Sequence, residues 1–488
     1  MTSFGDADIQ RIRAAVAALV DEHHLPGISV GVVSGDELVY AEGFGYADIE
    51  SQRPQDPALR QRIGSITKTM TALCAMALVE EVRLSLDDRV VDHLPDVRFH
   101  GPAEQVTVRH VLTHTSGIGE VPMPEDIRKM DDTLWSDVDA EVPGVPEAYP
   151  NGITIEVPPG SKWAYANHAF VLLGEIVART EKTPIEQVLR RRVFEPLGMA
   201  NTDCLDRPHP DLTTGYHRPP SEDQRELMAR IGQEPPQEEP SDGHNIRGRY
   251  QRVRGAAAGA VQSTIPDMAR YASALLRKSA GIVRPETFDT MLAPQWCPDE
   301  RLQNIGLAFF REHRFGRFTF GHGGGVTGGW NTHLGVLPDD GLAVLVHLNL
   351  AYEKFDEIDG RILQAVLDAP DPKPLGAPID PAILAAAPGV YEAAPGTLTN
   401  YRIIGATGRV QISLRDGELW LHARRGPWKQ GARMLPADAN DPAFFVLDRG
   451  EPEPPHIALL LDGTRAVAGL RFDRLVEMVR NDHVEPWA

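Results

Sequence analysis

Residues 62–81 read "RIGSITKTMTALCAMALVEE", an apolar helical run with Ser65 and Lys68 one turn apart at its mouth. A lysine in a buried helix either snorkels its charge to water or holds that charge for a purpose. Helical side chains three positions apart share a face, so the Lys68 amine reaches the Ser65 hydroxyl. A serine hydroxyl is a weak nucleophile until a neighbouring base or charge helps to remove its proton. For Lys68 to take that proton near neutrality, its surroundings must favour the free amine by about 4 kcal/mol. An apolar helix mouth with a nearby cation or dipole is the kind of place that does so. This is the sequence's single Ser-x-x-Lys, and most of its 49 basic residues are arginine. The motif alone is short, and a serine capping its own helix is the competing structural reading.

Composition narrows the partners. The 488 residues carry a formal charge of −20 and 42% hydrophobic residues, an ordinary globular make-up with material for more than one core. Such an acidic chain repels phosphate backbones and anionic lipid, so neither nucleic acid nor membrane is an expected partner. Cys74, Cys204 and Cys297 lie far apart without CxxC or metal-type spacing, which predicts reduced thiols, no disulfide framework and no cysteine-built zinc site. The opening "MTSFGDADIQRIRAAVAALV" (residues 1–20) is acidic and amphipathic, without the basic and apolar regions of a secretion signal, and the expected location is the cytoplasm.

Along the chain, residues 6–23 place Ile9, Ile12, Val16, Leu19 and Val20 on one helical face, with Asp6 or Asp8 available to cap it. "ISVGVVSGDELVYAEGFGYAD" (28–48) reads as a hairpin turning at Gly35-Asp36. Patterns from Ser65 to about residue 200 are mostly helical, broken by an acidic, proline-bearing loop at 119–152. The polar stretch 206–254 predicts a solvated loop or a lid over a site. After a helix at 264–277, strands return at 306–348, followed by a helix at 353–368 with Phe355, Ile358, Ile362, Leu363 and Val366 on one face. The order predicts an α/β unit whose antiparallel sheet is interrupted by a helical insertion. "APDPKPLGAPIDP" (369–381) is a proline-rich linker, and the short, evenly spaced strands beyond it predict a separate all-β barrel. The expected divisions are a catalytic unit 1–368, with an α/β part at about 1–64 and 255–368 and a helical part at about 65–254, a linker 369–382, and a barrel 383–488.

Two further segments strengthen the reading of Ser65. "PPGSKWAYANHAFVLLGEIVART" (158–180) sets Tyr165 and Asn167 just before a helix, and "FGHGGGVTGGW" (320–330) sets His322 before a glycine run in strand-like sequence. A phenol beside a cation loses its proton more readily, and an asparagine amide can bind a substrate carbonyl. Glycines on a strand let a substrate reach backbone N–H groups.

Taken in this order, the three elements resemble the serine β-lactamase and penicillin-binding-protein superfamily, in which an SxxK helix, a YxN or SxN loop and a KTG-type strand meet in one cleft. The likeness runs from about residue 8 to 368. It includes "LSLDDRVVDHLPD" (84–96), "VTVRHVLTHTSGI" (106–118), residues 165–199 and "GAVQSTIPDMARYASALL" (259–276), all similar to the class C β-lactamase-like branch of esterases, D-aminopeptidases and DD-peptidases. Tyr149 also begins a Tyr-x-Asn and His333 a His-x-Gly, but their settings do not match the pattern.

The resemblance implies that Ser65 is the nucleophile, with Lys68 and Tyr165 its proton relay. Asn167 would steady the substrate carbonyl or Lys68, and His322 holds the place of the KTG lysine. Gly324 and Gly325 would bind substrate, the Ser65 and Gly325 N–H groups forming the oxyanion hole. Neither metal nor organic cofactor is implied, and the expected partner is a small ester, amide or short peptide, with homo-oligomers left open. A histidine at 322 argues against efficient antibiotic hydrolysis, since the lysine it replaces helps bind the antibiotic's carboxylate. Carboxylesterase and D-amino-acid-selective peptidase or amidase are the leading activities, ahead of weak β-lactamase and a silent ligand-binding protein. The C-terminal part resembles the lipocalin-like barrel of several peptidases in this group. His110, His114 and Cys74 are expected to be structural, and Trp330 to line the cleft or fill the sheet.

Overall fold

The hairpin at the start of the chain lies toward one edge of the main sheet. Strands β1 (Gly27–Ser34) and β2 (Glu37–Asp48) pair across the Gly35-Asp36 turn, with the short β3 (Arg53–Pro54) at the edge. Five strands from 304–348 complete it: β4 (Asn304–Ile305), β5 (Phe310–Arg314), β6 (Arg317–Val326), β7 (Trp330–Leu337) and β8 (Leu342–Leu348). The order is β4-β5-β6-β7-β8-β1-β2-β3, antiparallel throughout, so β1 pairs with β8 from some 300 residues later (Val30 opposite Val346). The computed structural model describes residues 4–121, 134–204, 207–230, 234, 238–326, 328–371, 375, 377–394, 408–424, 426–464, 466–473 and 476–487.

Both faces of the sheet are covered, and the two-residue strand period decides which side chain meets which layer. Val344, Val346 and Leu348 of β8 join Ile12, Val16 and Leu19 of helix α1 (Asp6–His23) and Ile358 and Ile362 of a helix at Phe355–Leu367 in one apolar cluster. Ala343 and Leu345 point the other way, into the larger core shared with the helical part. The capping of α1 differs in detail from expectation: Gly5 is the cap residue, and Asp8 reaches back to its N–H at 2.9 Å.

Helix α2 (Thr67–Glu80) runs through that larger core with every residue from Thr67 to Leu78 buried, as an apolar helix without a polar face must. Against it lie α3 (Asn167–Glu181) and α4 (Ile265–Leu276), whose Ile265 sits so close to β1 that a Cβ on Gly31 would stand 2.6 Å from it. With α1 to α4 so assigned, Phe355–Leu367 is α5.

The polar stretch 206–254 is more embedded than its composition suggests. Tyr216 is fully buried in the α1–α5 cluster and Ile246 and Val253 are also buried, while the helix Glu222–Arg230 and residues 241–244 have the solvated character expected. Isolated apolar residues anchor a polar segment here, which a windowed composition averages away. Parts of the 119–152 loop, of the linker and of the segment after Ala394 lie outside the described residues.

The C-terminal strands form a closed antiparallel barrel of eight: β9 (Gly389–Ala393), β10 (Arg409–Arg415), β11 (Glu418–Ala423), β12 (Ala432–Pro436), β13 (Phe444–Asp448), β14 (His456–Leu461), β15 (Val467–Phe472) and β16 (Val476–Arg480). Pairing of β9 with both β10 and β16 closes it. Its interior is packed with side chains that include Tyr391, Ile412, Leu421, Phe445, Leu470 and Met478. Ion pairs join it to the rest: Lys162 to Glu477 at 3.0 Å, and Arg314 to Glu453 at 2.6 Å. Among the described residues no helix is long and apolar enough to cross a membrane.

Candidate active site

A 3₁₀ turn at Gly64–Ile66 leads into α2 and sets Ser65 at its mouth. Gly64 has φ +53°, and a Cβ there would lie 2.9 Å from the Gly325 nitrogen, so only glycine fits. The β6 glycine run packs hard against the same turn: a Cβ on Gly324 would stand 2.0 Å from the Ile63 carbonyl oxygen, which also accepts from Thr332 Oγ1 at 2.9 Å. Strand β6 therefore brings Gly324 and Gly325 directly beside Ser65.

Lys68 is fully buried and its Nζ donates to three acceptors: Ser65 Oγ at 2.9 Å, Asn167 Oδ1 at 2.7 Å and the Ala258 carbonyl at 2.7 Å. Nζ also lies 4.9 Å from the centre of the Tyr165 ring and 5.6 Å from that of Phe170. Two of the three acceptors, an amide oxygen and a backbone carbonyl, can only accept. An ammonium satisfies all three with its three N–H groups. A free amine satisfies the same partners, its two N–H groups going to Asn167 and Ala258 while its lone pair faces the Ser65 hydroxyl. These three acceptors are thus compatible with either protonation state of Lys68.

Tyr165 is 3% exposed and sits between two imidazoles. Its ring stacks on His114 with centroids 4.3 Å apart and lies 6.2 Å from His322 on the cleft side. His322 packs against Phe310 at 4.9 Å, and its Nδ1 is 2.5 Å from the Gly323 carbonyl oxygen. All seven sequence-predicted positions, Ser65, Lys68, Tyr165, Asn167, His322, Gly324 and Gly325, therefore come together.

The decoys fall elsewhere. Tyr149 bonds His168 at 2.9 Å, a buried histidine pushed down to about 4 by desolvation, and His333 bonds Asp359 at 2.8 Å behind the sheet. Trp330 is packing: its indole N–H donates to Thr213 at 3.0 Å and its ring faces Arg62. Cys74 is buried and its thiol is pushed up to about 12 by burial, so it is inert. Arg62, three residues before Ser65, is also buried. It stacks 4.6 Å from the Tyr250 ring, donates to the Gln251 carbonyl, and desolvation lowers it to about 10.

Two neighbours of the site could not be paired with it from sequence. The Ala258 carbonyl leaves no sequence signal because it is backbone, although the small residues around it are legible as close packing: a Cβ on Gly174 would lie 2.3 Å from the Ala257 Cβ. His114, expected to be structural, is so, and it holds the Tyr165 loop from three sides. Its Nδ1 accepts the Ala166 N–H at 3.1 Å, its carbonyl accepts the Ala164 N–H at 2.8 Å, and its ring supports the phenol. It adopts φ +56°, a left-handed conformation uncommon for histidine and a sign of a constrained position.

With this geometry in view, comparison with known proteins decides the family. The model described as Beta-lactamase matches residues 12–368. The chain belongs to the beta-lactamase family. Members of that superfamily are serine hydrolases. Over 195 residues this family member is 28% identical to "Protein flp" of Staphylococcus aureus (strain MW2), a match covering 40% of this chain and 38% of that protein, so less than half of that curated relative is spanned. In fold it is similar to the octameric penicillin-binding protein homologue from Pyrococcus abyssi, with TM-score 0.61, 23% identity and coverage of 97% of this chain and all of that one. It also resembles the D-amino acid amidase from Ochrobactrum anthropi SV3, with TM-score 0.57, 22% identity and coverage of 73% and 99%. The barrel lies beyond the family match.

Proposed function

We propose that this chain is a serine hydrolase that cleaves small esters or amides through an acyl-enzyme on Ser65. The observation that carries the reading is the three-way bonding of Lys68 Nζ to Ser65, Asn167 and Ala258. Ser65 Oγ attacks the substrate carbonyl carbon while its proton passes to Lys68 and Tyr165. The resulting oxyanion is held by the N–H groups of Ser65 and Gly325, donors of a kind each worth about 3 kcal/mol. The relay then gives the proton to the departing alcohol or amine as its bond to carbon breaks. Water activated by Tyr165 attacks the acyl carbon, the acid leaves, and the proton returns to Ser65. Asn167 orients Lys68, and His322 and Gly324 line the substrate side. In this reading residues 1–368 form the catalytic unit and 383–488 the appended barrel.

His322 bears on the substrate. An imidazole is not a permanent cation, so the cleft lacks a fixed positive charge at the position where a lysine would bind a substrate carboxylate. This favours substrates without a free carboxylate beside the scissile bond: esters, amides and N-terminal residues of short peptides. Among amides, D-aminoacyl compounds are the second reading, in keeping with the fold shared with the D-amino acid amidase. Initial rates of wild type and Ser65→Ala on a short-chain p-nitrophenyl ester and on D- and L-alanine p-nitroanilides test both. Serine-dependent turnover of the ester alone makes the protein an esterase, and a D-selective anilide rate makes it a D-amino-acid hydrolase. Turnover that survives Ser65→Ala sinks the reading.

A further inference from the structure

Away from the cleft, on the opposite sheet face from α2, the end of α1 meets the start of α5. His23 closes α1 with its side chain 5% exposed, and its Nδ1 lies 3.1 Å from the Tyr352 hydroxyl. Its Nε2 is enclosed and has no hydrogen-bond partner. Facing that nitrogen are Glu22 Oε1 at 3.8 Å and Glu357 Oε1 at 3.7 Å, and the three atoms lie within 4.8 Å of one another.

These separations are too long for hydrogen bonds. The 3.7 and 3.8 Å separations are close to the span of two ligands each about 2.1 Å from a shared cation. In the tautomer a metal would use, the ring proton is on Nδ1 and donated to the Tyr352 hydroxyl, and the Nε2 lone pair faces the two carboxylates. Tyr352 then plays the orienting part that a second partner usually plays for a ligating histidine.

The surroundings divide the charges rather than cancel them. Arg361 takes the other oxygen of Glu22, Oε2, at 2.7 Å, leaving Oε1 toward His23. Lys354 adds positive charge nearby, and Glu451 of the barrel region adds negative charge beside Glu357. Glu357 lies in the first turn of α5, where the helix dipole favours a carboxylate.

We propose that Glu22 Oε1, His23 Nε2 and Glu357 Oε1 bind one divalent transition-metal ion of the zinc class, with water completing its coordination. The ion fastens the end of α1 to the start of α5 and has no part in the chemistry at Ser65. One imidazole and two carboxylates form a borderline set suited to Zn²⁺ or Mn²⁺ rather than to soft metals.

The test is titration of full-length, EDTA-stripped protein with Zn²⁺ by calorimetry, with metal counted by mass spectrometry after dialysis. One Zn²⁺ per chain is expected in wild type. Glu357→Gln and His23→Gln should lose it, and Tyr352→Phe should bind about tenfold more weakly. Glu22 is half-exposed, so Glu22→Gln is the variant that keeps the fold. Zn²⁺ should raise the melting temperature of wild type but not of Glu22→Gln. Absence of Zn²⁺ from wild type, or equal binding and equal thermal response in the variants, overturns the proposal.

Discussion

His114 carries Tyr165 on its face, the two ring centroids 4.3 Å apart and the planes 29° from parallel, while its Nδ1 fixes the next backbone N–H at 3.1 Å. The phenol that faces Lys68 is thus positioned by a residue that need not touch substrate. Replacing His114 with alanine removes the support and leaves the buried Ala166 N–H unpaired, at a cost of about 1–3 kcal/mol. The expected result is a fall in kcat of roughly 100-fold with KM little changed, since small misplacements of catalytic groups have effects of that size. Asparagine at 114, which can still accept the N–H, should recover part of the stability in thermal melts and little of the rate.

Lys68 and Asn167 should fail together. Lys68→Ala is expected to lower kcat by about 10²–10⁴-fold, the usual worth of a positioned proton-transfer group. Arginine at 68 should not rescue it, because a guanidinium does not give up its proton. Asn167→Ala removes the oxygen that holds Nζ at 2.7 Å, and in a double-mutant cycle its effect should be far from additive with that of Lys68→Ala. Additive losses would mean that the two side chains act separately.

The glycine run offers an internal control. Gly324→Ala drives a Cβ to 2.0 Å from the Ile63 carbonyl oxygen and must displace the Ser65 turn. A Cβ on Gly323 would find nothing nearer than 3.8 Å. Gly324→Ala should lose at least about 100-fold in kcat/KM, on the scale of a lost oxyanion donor. Gly323→Ala should stay close to wild type in rate and melting temperature. Equal effects would remove the case that β6 is pressed against the nucleophile turn.

Acid stability should depend on Asp359, which bonds Arg314 at 2.6 Å and His333 at 2.8 Å. Burial alone would raise this carboxyl, but the charges and hydrogen bonds of His333 and Arg314 outweigh it and hold the group well below the ordinary carboxylate range. A lowered folded value means that the contribution is complete above the unfolded value near pH 4 and is lost as pH falls through the folded one. Asp359→Asn should therefore cost about 3–5 kcal/mol at pH 7, as breaking a buried ion pair does. The gap from wild type, read from urea midpoints, should narrow below about pH 4. A gap independent of pH would contradict the ion-pair account.

Much of this molecule is legible in its sequence because the signals are periodic or local. The hairpin at 28–48 and the helices at 6–23, 264–277 and 353–368 all appear within a residue or two of where the patterns put them. Ser65, Lys68, Tyr165, Asn167 and His322 stand out as candidates because their residue types recur in particular settings, and the fold brings them to one place. The rest depends on long-range contact. Tyr216 looks like part of a solvated stretch until the α1–α5 cluster closes over it. His114 lies 51 residues from Tyr165, with nothing in its neighbours to reveal the pairing. Ala258 contributes a carbonyl, which every residue has. The ends of α1 and α5 meet only because β1 and β8 pair across the length of the unit.

Intact-mass analysis of wild type after a fluorophosphonate probe, with mapping of the modified peptide, tests the central claim most directly. The account predicts one adduct per chain, on the peptide that carries Ser65, absent from Ser65→Ala and slowed in Lys68→Ala. An adduct on another residue, or none on a folded wild-type protein, would contradict it.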